Sequence, residues 1–186
     1  MSGYAVQKLE AEVSVEEYLQ ACVDVEKFLD CCRVCSNFGR RWSCPPFDFA
    51  PMELWKRFHT LRLYARILTP EPGENMAALL RRMKVEKEKL MAELLQLERE
   101  NPASMALSAG SCSLCGEDCT RTKGEPCRKP REMRYSIEAL GGDVSKTAER
   151  YLGRPLKWAK DGAAPEYMTL VGGLLLLLAL LNPLLQ

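Results

Sequence analysis

The segment Leu61-Arg-Leu-Tyr-Ala-Arg-Ile-Leu68 alternates apolar and polar side chains, and it decides the fold class. This alternation is regular enough to predict a β-strand. Pro70-Glu-Pro-Gly73 then interrupts the chain, and residues 74–99 carry apolar side chains at helical spacing until Asn101-Pro102 ends the pattern. The Lys/Glu-rich side of this predicted helix is expected to face solvent. A strand that leads into a long helix indicates a mixed α and β structure.

The same patterns predict the remaining elements on both sides of this strand. Ser14 is expected to cap a helix that runs as far as Cys31, and Asp143 to cap another that closes at Leu152-Gly153. The other predicted elements are strands at 3–13, 104–109 and from Tyr167, and helices at 52–58 and from Pro130 to Leu140. We therefore expect an α+β or α/β fold: a small sheet with flanking helices and two cysteine-rich metal-binding loops. Residues 1–178 would form one domain, followed by an apolar C-terminal tail at 179–186.

The composition limits the classes of function. With 186 residues, 26 Lys+Arg against 25 Asp+Glu and a net charge of +1, the chain lacks the basic excess that a nucleic-acid-binding protein needs. Its nine cysteines stand beside a single histidine, His59. No secretory or transit segment is visible near the start, so a cytoplasmic location is expected. Because cytosolic thiols stay reduced, these cysteines are expected to be metal ligands and not disulfides.

The first cysteine group consists of Cys31, Cys32, Cys35 and Cys44. The Cys32-x2-Cys35 pair lets two thiolates from one turn bind the same centre, and Phe38-Gly39 allows the chain to reverse so that Cys44 returns to it. Adjacent residues point in different directions, so whether Cys31 or an outside ligand completes the group stays open. An alternative is that these are buried, reduced cysteines that act as small hydrophobic residues.

The second cysteine group gives the stronger signal. It has the spacing Cys112-x2-Cys115-x3-Cys119-x7-Cys127. Four thiolates within 16 residues suit a tetrahedral centre, and both zinc and an iron–sulfur cluster meet that requirement. We expect this group to bind an iron–sulfur cluster, most simply [4Fe–4S], and the first group to bind a second cluster. Zinc is the alternative, because thiolate ligands suit both. Nearby basic residues would offset the thiolate charge; they are Arg121, Lys123, Arg128 and Arg131.

The two groups together resemble an uncharacterised, largely prokaryotic family of predicted metal-binding proteins, a domain of unknown function. The resemblance covers roughly residues 3–178. It rests on four motifs: Cys32-x2-Cys35-x2-Phe38-Gly39-x2-Trp42-x-Cys44-Pro45-Pro46, Gly110-x-Cys112-x2-Cys115, Pro126-Cys127-Arg128-x-Pro130 and Ser136-x-Glu138-Ala139-x-Gly141. The resemblance implies metal binding by cysteine in a cytosolic setting and implies no established reaction.

Three functional hypotheses stay open at this point. The first is an iron–sulfur protein that transfers electrons or serves a redox enzyme, which implies a redox partner protein. The second is a zinc-stabilised protein-interaction module. The third, a thiol redox enzyme, is weaker because Cys32 follows a helix, whereas a reactive thiol pair needs a helix N-terminus. The sequence assigns no enzymatic reaction.

The apolar C-terminal segment requires a separate interpretation. Met168–Leu181 is free of charge for 14 residues, whereas a membrane-spanning helix needs roughly 20. We expect a buried strand followed by a packed or partner-binding tail, with membrane contact as the less favoured alternative. An exposed run of leucines would also suit contact with a second copy of the chain, so a homo-oligomer is a further expectation.

Overall fold

A computed structural model describes residues 5–160 and 163–177 and places them around a four-stranded sheet. The strands are β1 (Val6–Ser14), β2 (Thr60–Leu68), β3 (Met105–Leu107) and β4 (Met168–Leu176), in the order β1-β2-β4-β3. Every neighbouring pair is antiparallel. The described residues therefore form an α+β fold, and of the two expected classes this one is confirmed.

The helices of the described chain cover both faces of this sheet. They are α1 (Val15–Cys22), α2 (Val25–Arg33), α3 (Pro51–Trp55), α4 (Met76–Glu100) and α5 (Val144–Leu152). Short 3₁₀ helices occupy Thr120–Lys123 and Glu138–Leu140. Helix α4 packs against β3 and β4 on one face, while α1 and α5 pack on the face that contains the main core. None of the described helices is both long and apolar enough to cross a membrane.

Strand β2 is an interior strand of the sheet, and its alternating apolar side chains belong to the main core. Leu61, Leu63, Ala65 and Ile67 are buried in one cluster with Tyr18 and Trp55 from the helices. Ser14 caps α1 through a hydrogen bond from the Glu17 N–H (3.1 Å), as the sequence predicts. The predicted strand from Tyr167 corresponds to β4, and the apolar tail at 179–186 lies outside the described residues.

The prediction of one continuous helix from Ser14 to Cys31 is wrong. The chain breaks at Val23, which is extended and pairs with Gly142 across an isolated bridge. Asp24 then caps α2, accepting a hydrogen bond from the Lys27 N–H (3.0 Å). The apolar spacing continues across this break, so periodicity alone does not show it. Helix α2 is therefore a separate helix, and it carries Cys31 and Cys32 near its C-terminal end.

The predicted helix from Pro130 to Leu140 is also wrong, since only Glu138–Leu140 is helical, as a single 3₁₀ turn. Neighbouring strands and side chains take up the hydrogen bonds of this segment. The Ser108 N–H donates to the Tyr135 carbonyl (2.8 Å), and the indole N–H of Trp55 donates to the Leu140 carbonyl (2.9 Å). Long-range bonds have replaced the helix here, and they fix Glu138 against α2.

Candidate metal centre

The loop that follows β3 carries the second cysteine group, Cys112, Cys115, Cys119 and Cys127. All four cysteines line one small cavity, together with Trp42 from the first cysteine loop. The cavity is about 10 Å³, roughly the space that one water molecule needs. The indole N–H of Trp42 donates to the Glu125 carbonyl (3.2 Å), so the ring is fixed at this wall. The structure therefore brings the four predicted residues of this group together.

The electrostatics of Cys112 reflect this convergence. Burial raises the pKa of its thiol, and the nearby thiols of Cys115, Cys127 and Cys119 raise it further. The Leu114 N–H donates to the Cys112 sulfur and works in the opposite direction. Such amide donors stabilise a thiolate and tune the potential of a thiolate-bound metal. In the metal-free protein the Cys112 thiol is therefore favoured in its neutral form, and a bound cation would favour its thiolate.

Two of the four basic residues expected to compensate charge make defined contacts within this loop. Arg128 lies close enough to Cys115 for their charges to interact, and it pairs with Asp118 (3.0 Å). Lys123 also pairs with Asp118 (2.8 Å), and these two cations hold the pKa of that carboxyl below its usual range. Arg128 thus lies beside a predicted ligand, whereas Lys123 serves mainly to hold the loop.

The first cysteine group is assembled by the C-terminal end of α2 and the loop that follows. The Cys35 N–H donates to the Cys32 carbonyl (3.0 Å), and the Gly39 N–H donates to the Pro45 carbonyl (2.8 Å), which returns Cys44 towards the helix. Burial raises the pKa of Cys32, and the thiols of Cys44, Cys35 and Cys31 add to this effect. Cys44 is buried, whereas Cys31 and Cys35 are exposed. This group therefore faces solvent on one side.

The two cysteine loops are joined side by side, although about 70 residues separate them in sequence. The Cys112 N–H donates to the hydroxyl of Ser43 (2.9 Å), the residue directly before Cys44. Arg121 of the second loop donates to the carbonyls of Arg41, Cys44 and Pro46 in the first. In return, Arg41 donates to the carbonyls of Gly116 (2.6 Å) and Cys112 (3.3 Å). The two groups are thus neighbours within one structural unit.

Two charged residues near these loops were not among the predicted site residues. Lys87 of α4 donates to the Ser111 carbonyl (2.5 Å), and burial lowers its pKa, while Cys112 and Glu138 counteract that shift. Burial raises the pKa of Glu138, which is close enough to Cys32 to raise that thiol's pKa slightly. Glu138 belongs to a quoted motif and could have been found there. Lys87 gave no signal, because it stands in a helix face rich in charges.

The donor set fits a thiolate-bound metal or cluster. Each group offers sulfur ligands, the ligands that zinc and iron–sulfur clusters accept, with buried amide donors and cationic side chains around them. Within residues 5–160 and 163–177, no three Cys, His, Asp or Glu side chains are arranged closely enough to hold one ion directly. The ninth cysteine, Cys22, lies buried in the main core near Thr147. His59 is exposed directly before β2.

We expect the thiols of the metal-free protein to react with iodoacetamide in two classes. Exposed Cys31 and Cys35 should be alkylated at least about tenfold faster, near pH 7, than Cys44 and Cys112, because burial and a raised pKa leave few thiolates at the latter two. A time course read by peptide mass spectrometry measures this. Buried Cys22, whose pKa is also raised, is the internal reference for the slow class. Equal rates for Cys44 and Cys31 would contradict the described geometry.

Comparison with known proteins agrees with the chemistry of the two groups. Residues 18–176 match a family model described as "Predicted metal-binding protein (DUF2284)". The search of curated proteins and the search of solved structures found no match.

Proposed function

Since the chain belongs to this family of predicted metal-binding proteins, we propose that it is an iron–sulfur protein that exchanges electrons with a redox partner protein. The observation that carries the proposal is the pairing of two all-cysteine groups through the hydrogen bond from Cys112 to Ser43. A purely structural metal needs no second centre beside it, whereas electron relay needs centres close together. A reducing cytoplasm would keep the ligand thiols available.

Each group would supply the ligands of one centre. The second group would hold a [4Fe–4S] cluster through Cys112, Cys115, Cys119 and Cys127. The first group would hold another through Cys32, Cys35 and Cys44, with Cys31 or an outside ligand as the fourth. When bound, such clusters supply one-electron transfer at a potential set by charge, hydrogen bonds and solvent exposure.

The surroundings of the groups support a division of roles between them. Four residues close to the second group shield or compensate it: Trp42 lines its cavity, Arg128 contacts Cys115, and Lys87 and Arg121 add positive charge. The first group is open to solvent at Cys31 and Cys35. Val34, which lies between Cys31 and Cys35 in sequence, is 89% exposed, and such exposure is unusual for a large apolar side chain. A redox partner could therefore dock over the first group, with Val34 in the contact.

A second candidate function is a zinc-stabilised protein-interaction module. The observation that favours it is the size of the cavity at the second group, since about 10 Å³ is nearer to the volume of a single ion than to that of a four-iron cluster. The four cysteines of this group would then hold one Zn²⁺ and stabilise the loop. The exposed surface around Val34, or the apolar C-terminal segment in contact with a second chain, would bind the partner.

Metal and sulfide analysis of anaerobically purified protein separates these functions. Two [4Fe–4S] clusters predict about eight iron and eight acid-labile sulfide per chain, with a broad visible absorbance. Cys112→Ser and Cys44→Ser should each remove about half of the iron, because each breaks one group. Cys22→Ala, a buried cysteine outside both groups, should leave the iron content unchanged. Zinc without sulfide would support the second candidate, and a colourless, metal-free protein would contradict both.

A further inference from the structure

A larger cavity lies near the start of both cysteine loops, and neither group accounts for it. It is about 360 Å³ and is bounded by α2, the chain after β3, the 3₁₀ turn Glu138–Leu140, α5 and β4. Small-molecule sites in proteins typically enclose about 300–1,000 Å³ and have mostly apolar walls. This cavity has that character, since its walls include Phe28, Leu156, Trp158, Leu170 and Val171.

Two buried oxygen atoms in the cavity wall have no partner among the described residues. They are Oε2 of Glu138 and Oγ1 of Thr169, which come from the 3₁₀ turn and from β4. Buried polar side chains are hydrogen-bonded in the great majority of structures, so two unpaired oxygen atoms on residues that line one cavity indicate a missing partner. The Asp143 carboxyl also lines the cavity, and its Oδ1 is already used to cap α5.

We propose that this cavity binds a small, mainly apolar molecule that carries a hydroxyl or amine group at one end. The apolar body would lie against Phe28 and the other hydrophobic walls, and the donor group would bond to Glu138 and Thr169. The carboxyl group of Asp143, which also lines the cavity, would repel an anionic head group.

The position of the cavity gives the bound molecule access to the cysteine loops. Phe28 lies on α2 four residues, about one turn, before Cys32, and Gly110 lies two residues before Cys112. Glu138 is close enough to influence both Cys32 and Lys87. The ligand site therefore lies alongside the proposed metal groups. The inference goes beyond the proposed function, because binding to the cavity requires no metal.

Calorimetric titration of the full-length, anaerobically purified protein with benzyl alcohol tests the proposal, and benzoate serves as the anionic comparison. Benzyl alcohol should bind with a dissociation constant on the order of millimolar, which is reasonable for a fragment of this size, and benzoate should not bind. Thr169→Val keeps the side-chain shape and removes the hydroxyl, so we expect at least about fivefold weaker binding. Ala109→Leu fills the cavity and should abolish binding.

The control is Glu132→Gln, which changes a carboxylate that lines a different cavity, beside α4, and should leave binding unchanged. Iron and zinc are measured on the same samples, so that loss of ligand binding is distinguished from loss of metal. Circular dichroism identifies a variant that does not fold; if Ala109→Leu is one, Thr169→Val decides. Absence of benzyl alcohol binding, equal binding of benzoate, or unchanged binding by the folded variants would overturn the proposal.

Discussion

Replacing Gly141 with alanine should lower the free energy of unfolding by about 3 kcal/mol or more, because the added methyl group would overlap the backbone of α2. Gly141 has a φ angle of +87°, in the left-handed region that other residues avoid. A Cβ atom added there would lie 2.7 Å from the Val25 Cα and 2.8 Å from its Cγ2. Because the nearest atom belongs to the backbone, a side-chain rotation cannot relieve the contact.

Gly141 matters because it sets the distance between α2 and the 3₁₀ turn that carries Glu138. Its carbonyl accepts a hydrogen bond from the N–H of Asp24, the N-cap residue of α2 (2.8 Å). Movement of α2 away from this turn would displace Cys31 and Cys32 at the other end of the helix. We therefore expect Gly141→Ala to reduce the metal content of the first cysteine group as well as the stability.

Gly153→Ala is the matched control, measured by the same urea denaturation under anaerobic conditions. Gly153 ends α5 with a φ angle of +62°, and no atom lies within 4 Å of the position of an added Cβ. Its substitution therefore introduces backbone strain without a steric contact and should cost about 1 kcal/mol. If both variants lose the same stability, the close approach of Gly141 to Val25 is not a determinant of this fold.

Local sequence signals predicted most of the elements. The alternation in residues 61–68 identified β2, and the helical spacing in 74–99 identified α4, which the structure places at Met76–Glu100. Ser14 and Asp143 were correctly predicted as the N-cap residues of α1 and α5. Each side chain accepts a hydrogen bond from a backbone N–H in the first turn of its helix. Signals of this kind act over a few residues, so a sequence displays them directly.

Long-range contacts caused the errors. The helix break at Val23 depends on Gly142, and the loss of helix at 130–140 depends on Ser108 and Trp55, all distant in sequence. Periodicity describes which side chains face the core, and it says nothing of partners that compete for the backbone. Sheet order is subject to the same limit. Periodicity within β4 does not show that this strand pairs with both β2 and β3.

Some features of the candidate site could likewise be predicted from local sequence, whereas others depend on long-range contacts. Thiol spacing identified both cysteine groups, because ligands from one short loop must lie near one another. That the loops adjoin through Ser43 and Arg121 could not be predicted, since it requires the folded positions of segments on opposite sides of α4 in sequence. Lys87 was missed because a charged residue on a helix is usually solvated, and only its packing against the second loop shows that this one is half-buried.

Arg121 joins the two cysteine loops, and its replacement should have the largest effect on metal retention outside the ligands themselves. Its guanidinium donates to the carbonyls of Arg41, Cys44 and Pro46 and also lies 5.3 Å from the ring of Trp42, which lines the cavity of the second group. One side chain therefore positions the loop that bears Cys44 and a wall of the neighbouring site. Substitution of such outer residues in metal sites typically costs about 10–100-fold in metal affinity.

Arg121→Met keeps much of the apolar volume and removes the donors, so both cysteine groups should release metal about 10–100-fold more readily to a competing chelator. Arg121→Lys should recover little, because a single ammonium cannot reach three carbonyls as a planar fork does. Arg131→Met, at an exposed arginine ten residues further along, controls for the loss of one positive charge. If Arg121→Met and Arg131→Met lose metal to the same extent, the loss of one positive charge explains the effect of Arg121. A selective loss in Arg121→Met would instead show that the two groups depend on one shared scaffold, because the hydrogen bonds that it removes hold no ligand sulfur.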